Sequence, residues 1–339
     1  MNSNTVGIIG HFGENNNFTD GQTVKTHNIY NELIKNIKNI NILDTYFFKT
    51  NKIKMFMKSI KFFFKNKYLI IITSGKGTKF FVILYGLLNA FNKKKICYCT
   101  VGSYLDIYCK KNKLLYFFSK RLSKILTETM ELKNNLDGMG FTNVETMYNF
   151  KQINEYKLNK YRIPNSFCIF SRIVKEKGID DVAYAIKKMN SEKINCKLFI
   201  YGPINEDYRK EFDDLIKDNK YIQYCGIVPS NESSQVISKY FMLVFPTHYI
   251  KEGLPGTLID AYFCGTPVIA SDWHSAKEFV PDTVGYRYKF ADRDALYEMM
   301  KYCCNNLEEV ESKRKTAIMF SKKFTPKEAI KPLLNFIND

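Results

Sequence analysis

Residues Lys251–Asp272, KEGLPGTLIDAYFCGTPVIASD, decide how the rest of the 339-residue chain is read. They follow an apolar run, Phe241–Phe245, that ends at Pro246 and has the composition of a strand buried on both faces. A second run, Pro267–Ala270, closes the stretch, and the roughly two to three turns between them read as a helix starting near Pro255. Glu252 stands just before that helix, and Asp260 lies within it, eight residues on. Between the two acids Gly253, Gly256 and Thr257 leave backbone N–H groups at a helix N-terminus, where the dipole favours an anion such as a diphosphate. A phosphate cradle with a carboxylate on either side suits a nucleotide-sugar. One acid would hold sugar hydroxyls and the other the ribose.

The alternation of strand and helix continues in both directions. Upstream strands are expected at Val6–Ile9, Ile40–Thr45, Tyr68–Thr73, Ile96–Val101, Ile125–Thr127 and Val144–Tyr148. Nearer the stretch and beyond it, Phe167–Ser171, Lys197–Tyr201, Ile222–Tyr224 and Gly285–Tyr288 complete a second series. Such alternation builds parallel sheets with helices on both faces and ligands at the carboxyl ends of the strands. The polar, aperiodic segment Lys151–Asn165 reads as a linker. The expected fold class is α/β, with two Rossmann-like doubly wound domains facing a central cleft. Their bounds are 1–155 and 156–323, followed by a C-terminal helix, 324–339, kinked at Pro332 and crossing back to the first domain.

Composition narrows the function. Hydrophobic residues make up 45% of the chain, enough for ordinary cores, yet no run reaches the ~18 apolar residues of a membrane span. The N-terminus runs almost directly into a strand, so no signal peptide is expected. Nine cysteines scattered without zinc spacing suggest reduced thiols in a cytoplasmic protein. The formal charge of +17 is uneven: residues 1–150 hold 22 Lys and Arg against 9 Asp and Glu, and the remainder 29 against 25. A basic half beside a near-neutral half points to an anionic partner for the basic one.

Two glycine-rich segments are excluded from familiar nucleotide motifs. Gly7, Gly10 and Gly13 follow the first strand, but a long polar loop stands where a dinucleotide site needs a helix. Gly75-Lys76-Gly77-Thr78 lacks the spacing of a P-loop, which rules out an ATPase reading. The helix expected over Val24–Ile37 begins behind Gly21 and Gln22 and offers another phosphate-facing terminus.

With Glu252-Gly-Leu-Pro-Gly-Thr-Leu-Ile-Asp260 and the following Cys-Gly-Thr-Pro-Val-Ile-Ala-Ser in place, the chain resembles the retaining glycosyltransferases of family 4, with the GT-B fold. The second acid of that signature is usually Glu; here it is Asp260. Ser171-Arg172-Ile-Val-Lys175-Glu-Lys177-Gly178 matches the family's R-x4-K-G segment, and Gly21–Thr26 resembles the version found in enzymes of bacterial surface polysaccharides. The resemblance implies Glu252, Arg172 and Lys177 as catalytic residues. It implies donor contacts from Gly21, Gln22, Gly202, Ile227, Gly253, Leu254, Gly256, Thr257, Leu258 and Asp260. Arg172 and Lys177 would neutralise the departing diphosphate, so no metal or other cofactor is expected. Many members carry a His after the fourth strand; Gly102 stands at that position here. Glu278 falls where the family has a further acid, while His11 and His248 lie close to the two glycine loops.

The implied function is transfer of a hexosyl group from a nucleoside-diphosphate sugar to a lipid-linked surface glycan, in capsule, lipopolysaccharide or exopolysaccharide assembly. Domain 1–155 is implied to bind the acceptor and domain 156–323 the nucleotide-sugar. A UDP-sugar is the favoured donor, with GDP and dTDP as alternatives, and nucleic acid is not an expected partner. The basic, apolar segments Lys52–Tyr68 and Lys110–Leu126 suit an anionic membrane surface and a peripheral location on the inner face of the cell membrane. In Lys52–Tyr68, Phe56, Ile60, Phe63 and Phe64 are expected on one helical face with lysines at its margin. The same segments also fit an ordinary packing helix. Two rival functions remain on these residues: a non-catalytic membrane-bound scaffold and a polyanion-binding protein of the same fold.

Overall fold

The computed structural model describes residues 5–13, 21–49, 52–152, 162–217 and 219–338. The chain divides into two compact units, Met1–Phe150 with Pro326–Asp339, and Lys151–Thr325.

The first unit is built on a six-stranded, all-parallel sheet. Its strands are β1 (Val6–Gly10), β2 (Ile40–Asp44), β3 (Tyr68–Ile72), β4 (Lys95–Cys99), β5 (Lys124–Thr127) and β6 (Val144–Thr146), in the order β2-β1-β3-β4-β5-β6. The period-two alternation of strand side chains sorts the core between two faces. Tyr68, Ile70 and Ile72 of β3 join the cluster that holds Ile29 and Leu33, whereas Leu69 and Ile71 join Phe63, Phe81 and Tyr85. The C-terminal segment completes the first of these clusters through Leu333, Phe336 and Ile337. It forms two helices, Pro326–Ala329 and Lys331–Asn338, where the sequence suggested one helix kinked at Pro332. Pro332 instead falls in the first turn of the second helix, where its missing N–H costs no intrahelical bond.

Three helices of this unit matter below: α1 (Gly21–Leu33), α2 (Lys52–Lys65) and α3 (Gly75–Asn89). Helix α2 turns Met55, Ser59, Phe62 and Phe63 inward. It leaves Ile53, Phe56, Met57 and Phe64 exposed, so it carries two apolar faces rather than one, and Phe63 belongs to the buried face. The second basic segment breaks into Leu105–Lys111 and Lys113–Ser119, because the Asn112 side chain accepts from Leu115 N–H and caps a new helix.

The second unit repeats the architecture. Strands β7 (Ile163–Phe170), β8 (Lys197–Tyr201), β9 (Ile222–Tyr224), β10 (Tyr240–Phe245), β11 (Val268–Ser271) and β12 (Gly285–Tyr288) run parallel in the order β12-β11-β10-β7-β8-β9. All of β10 is buried, as a central strand covered on both faces requires. Strand β7 starts inside the expected linker, since Ile163 N–H pairs with the Lys239 carbonyl. Arg162, from that same segment, donates to Thr266 Oγ1 (2.7 Å) and the Cys264 carbonyl (3.1 Å). With Arg314 on the Gly265 carbonyl (3.2 Å), it places positive charge at the C-terminal end of the helix Gly256–Phe263.

Candidate functional site

Parallel strands bring their carboxyl ends to one edge of a sheet, and in the second unit that edge gathers most of the candidate residues. The turn after β7 carries Arg172 and, through a single 3-10 turn Lys175–Lys177, Lys177. The loop after β10 carries Thr247, Tyr249 and Glu252 and leads into the helix Gly256–Phe263, for which Pro255 is the N-cap.

Lys177 joins the two loops. Its ammonium lies 2.6 Å from Glu252 Oε2 and stands over the rings of Phe245 (5.2 Å) and Tyr249 (5.0 Å). Thr247 Oγ1 donates to the same carboxylate oxygen at 3.1 Å. The pair is only partly covered: the Lys177 side chain is 12% exposed and that of Glu252 22%. Arg172 is exposed, and its side chain makes no hydrogen bond or ion pair among the described residues. It acts on the same spot: burial pushes the Tyr249 phenol up, helped by Glu176, and Arg172 pulls it the other way. The structure thus brings Arg172, Lys177 and Glu252 together.

Two glycines allow this approach. Gly178, φ +66°, follows Lys177, and an added Cβ would meet the Pro246 carbonyl oxygen at 2.1 Å. Gly202, φ +137°, would place a Cβ 1.8 Å from the Ser171 carbonyl oxygen. Gly202 N–H donates to the Gly226 carbonyl (2.9 Å), so the ends of β7, β8 and β9 are tied side by side. Ile227, the next residue, is 61% exposed at this edge. His248 serves as a brace, with Nε2 2.8 Å from Asp181 Oδ2 and its N–H on the Glu176 carbonyl. Gly178→Ala should therefore cost at least ~2 kcal/mol, from the left-handed backbone and the backbone clash together. Urea unfolding of the full chain reads this directly; a loss below ~0.5 kcal/mol would mean that the two loops are not packed this way.

The helix N-terminus behaves unevenly. Leu258 N–H is already taken by the Pro255 carbonyl (3.1 Å), which removes it from the expected cradle. The N–H groups of Gly256 and Thr257 find no acceptor among the described residues, and buried Thr257 Oγ1 has no partner there either. Gly253 and Leu254 are buried beneath the loop.

Asp260 is more enclosed than the sequence suggested. Its Oδ2 accepts from Lys151 Nζ (2.5 Å) and Ser233 Oγ (2.7 Å), and its Oδ1 from Ser234 Oγ (3.2 Å). Burial raises the Asp260 pKa above the ordinary carboxylate range, against the pull of Lys151 and the two serines. Lys151 also donates to the Ser230 carbonyl at 3.3 Å, and its Cε passes 3.5 Å from where a Gly256 Cβ would sit. A second ammonium therefore lies beside the same helix N-terminus. In the sequence Lys151 merely heads the expected linker, and Ser233 and Ser234 belong to no motif. Nothing local marks the lysine, whereas the serines do stand at a helix start, Ser233–Ile237.

Other candidates lie elsewhere. Gly21 and Gln22 open α1 in the first unit, where Gln22 Oε1 accepts from Ser74 Oγ at 2.7 Å. Lys25, from the same motif, is buried on Glu128 Oε1 (2.7 Å) and the Thr100 carbonyl (2.7 Å), and Gly102 N–H donates to the other oxygen of Glu128. His11 sits 2.7 Å from Thr23 Oγ1. Glu278 lies in the one-turn helix Ala276–Phe279. Asp292-Arg293-Asp294, which has the spacing of a metal-binding Asp-x-Asp, starts a helix instead: Asp292 accepts from Ala295 N–H at 3.0 Å. Among the described residues no group of three or more His, Cys, Asp or Glu could hold a metal ion, and no helix is long and apolar enough to cross a membrane.

Known proteins share the sequence family and the fold of this chain. Residues 150–320, about half of the chain, match the family described as Glycosyl transferases group 1. An uncharacterized glycosyltransferase of Methanocaldococcus jannaschii is 26% identical over 236 residues, 60% of this chain and 58% of that one. The capsular polysaccharide biosynthesis glycosyltransferase CapM of Staphylococcus aureus is 28% identical over 206 residues, 57% of this chain and 51% of that one. The matches thus span between half and three fifths of these relatives. Among solved structures, Anabaena HepE in complex with UDP superposes with a TM-score of 0.78 at 11% identity, covering 98% of this chain and 99% of that one. The lipopolysaccharide outer core galactosyltransferase WaaB gives 0.70 at 17% identity, with the same coverage. The two parallel, doubly wound units are those of the GT-B fold, and the chain belongs to the group 1 glycosyl transferases.

Proposed function

We propose that the protein is a retaining glycosyltransferase of family 4 that moves a hexosyl group from a nucleoside-diphosphate sugar to a lipid-linked surface glycan. The observation that carries the reading is the Lys177–Glu252 pair, 2.6 Å apart, with exposed Arg172 nearby and a helix N-terminus whose first two amides and Thr257 hydroxyl have no partner among the described residues. The cations and amides receive the diphosphate, whose negative charge grows as the sugar–oxygen bond breaks. Glu252 holds sugar hydroxyls once a phosphate competes for Lys177. Asp260 reaches the ribose by sharing or exchanging its lysine partner, and the edge at Gly202 and Ile227 takes the base. With the cations doing this work, the reaction runs without a catalytic metal. Attack comes on the face from which the diphosphate leaves, and a departing phosphate oxygen takes the acceptor proton.

UDP is the favoured nucleotide, supported by relatives of the same fold solved with UDP. Capsule assembly is supported by the S. aureus relatives. The exposed apolar stripe of α2, with five lysines and no acid, favours attachment at an anionic membrane surface.

A thermal-shift panel of UDP, GDP, dTDP, ADP and their sugars, on wild type and Glu252→Ala, tests the reading. A ligand at ~100 times its dissociation constant adds ~2.7 kcal/mol to the folded state. One nucleotide should stabilise both proteins, and the extra stabilisation from its sugar should vanish in the variant. No shift with any nucleotide would leave the scaffold or the polyanion binder as the better description.

A further inference from the structure

Lys151 belongs to no motif, yet it stands inside the site of the second unit. Its stem crosses the first residue of the helix Gly256–Phe263: Cε, Cδ and Nζ lie 3.5, 3.8 and 3.9 Å from the point a Gly256 Cβ would occupy. One turn further on, along the same face, the ammonium meets Asp260 Oδ2 at 2.5 Å. The helix dipole opposes a cation beside an N-terminus, so this carboxylate is the lysine's main anchor. The lysine is also the outer member of the pair, its side chain 14% exposed against 7% for Asp260.

Donors and acceptors around the pair do not balance. A carboxylate offers about four lone-pair positions, and those of Asp260 receive Lys151 and Ser233 on Oδ2 but only Ser234, at 3.2 Å, on Oδ1. Of the Lys151 N–H donors, the one on Asp260 is well placed. The others reach the Ser230 carbonyl at 3.3 Å and Ser233 Oγ at 3.4 Å, beyond the ~2.7–3.2 Å of good N–H···O bonds. An open acceptor position therefore lies beside two weakly used donors. A phosphate oxygen could take only the donors, and the carboxylate would repel it. A hydroxyl takes both kinds, accepting from the ammonium and donating to the carboxylate, and a vicinal diol occupies the whole set.

We propose that Lys151 is a specificity-determining residue that reads the ribose of the nucleotide jointly with Asp260. One ribose hydroxyl accepts from the Lys151 ammonium and donates to Asp260 Oδ1; its neighbour accepts the second N–H. The lysine stays on Asp260 Oδ2 throughout, giving up only its two long contacts. Asp260, the more enclosed partner, is reached past the lysine. The proposal rests on the glycosyltransferase reading, in which Asp260 faces the ribose.

The test measures, by calorimetry on the full-length protein, binding of UDP, GDP and ADP, each beside its 2′,3′-dideoxy form. The readout is the ratio of the two affinities in one protein. A lysine that only supported the fold would alter both affinities alike and leave the ratio unchanged. The wild type should favour the ribose form at least ~thirtyfold, about 2 kcal/mol. Asp260→Asn, which keeps the lysine, should retain a preference of at least ~fivefold. Lys151→Met alone strands a buried charge, so the lysine is removed together with that charge. Lys151→Met combined with Asp260→Asn should still bind the diphosphate but separate the two forms by less than ~twofold. Equal binding of both forms by the wild type overturns the proposal. An Asp260→Asn preference as low as that of the double variant also overturns it, because the aspartate then accounts for the effect alone. A double variant with the wild-type ratio does the same. In all three cases nucleotide binding persists and the transferase reading stands. If no nucleoside diphosphate of the thermal-shift panel binds the wild type, that reading is removed and the role of Lys151 falls with it.

Discussion

Replacing Lys151 by Met is expected to remove about 3–5 kcal/mol from the stability of the second unit, and replacing Asp260 by Asn as well should restore most of it. The asymmetry follows from burial. The Asp260 side chain is 7% exposed and that of Lys151 14%, so neither charge is well hydrated. Even with the lysine present, burial holds the Asp260 pKa above the usual carboxylate range. Deleting the ammonium leaves the desolvation cost and removes the largest compensation, while Ser233 and Ser234 still donate. A neutral Asn keeps hydrogen bonds to the serines and carries no charge to strand. The sign with pH follows from the raised pKa. The folded variant binds its proton more tightly than the unfolded chain, whose carboxyl titrates near ~3.9, so its deficit is largest at neutral pH. The deficit should shrink as pH falls through the raised folded value towards that figure. Urea unfolding at pH 7 and pH 5 checks both statements. A deficit below ~1 kcal/mol with no rescue by Asn would show that water reaches the pair and that it is no more than a surface contact.

That lysine also marks how far the sequence can be read. Glu252, the Pro255 cap and the Gly256–Phe263 helix were legible because their signals are local: a turn residue, a cap and an acid at helical spacing fall within a dozen positions. The turn from Arg172 to Gly178 was legible for the same reason. Lys151 meets Asp260 across 109 residues, and no property of the segment around it announces that contact. Strand β7 was shortened in the reading because Ile163-Pro164-Asn165 has the composition of a turn. Pro164 is tolerated because the β7–β10 register is irregular there, and Asn165 adopts φ +47° within the strand. Helix α2 defeated pattern reading for another reason. A helix with one apolar face has a single solution, but Lys52–Lys65 is apolar on two, and only the packing of Phe62 and Phe63 decides which is inside. The residual stripe was then attributable to a surface role only after the core had been filled.

Arg172→Ala should lower turnover with the cognate donor by about 10²–10³-fold, the ~2.7–4 kcal/mol lost when one donor to a developing oxyanion is removed. The same substitution should change stability by no more than ~0.5 kcal/mol, because the Arg172 side chain is exposed and bonds to nothing among the described residues. A large loss of rate beside an unchanged fold is the signature of a group whose partner is the substrate. Lys177→Ala should lose rate to a similar degree, but with a measurable loss of stability too. Its ammonium holds Glu252 and rests on Phe245 and Tyr249, so its removal frees the loop after β10. Arg172→Lys should recover only part of the lost rate, since a point charge cannot supply two parallel N–H donors to one phosphate. If the cations act on the leaving group, kcat and kcat/KM fall together; if they only bind the ground state, KM rises and kcat stays. Release of free nucleotide from the donor identified by thermal shift gives both parameters. Near-normal turnover in both alanine variants would sink the assignment of this edge as the place where the sugar–phosphate bond breaks.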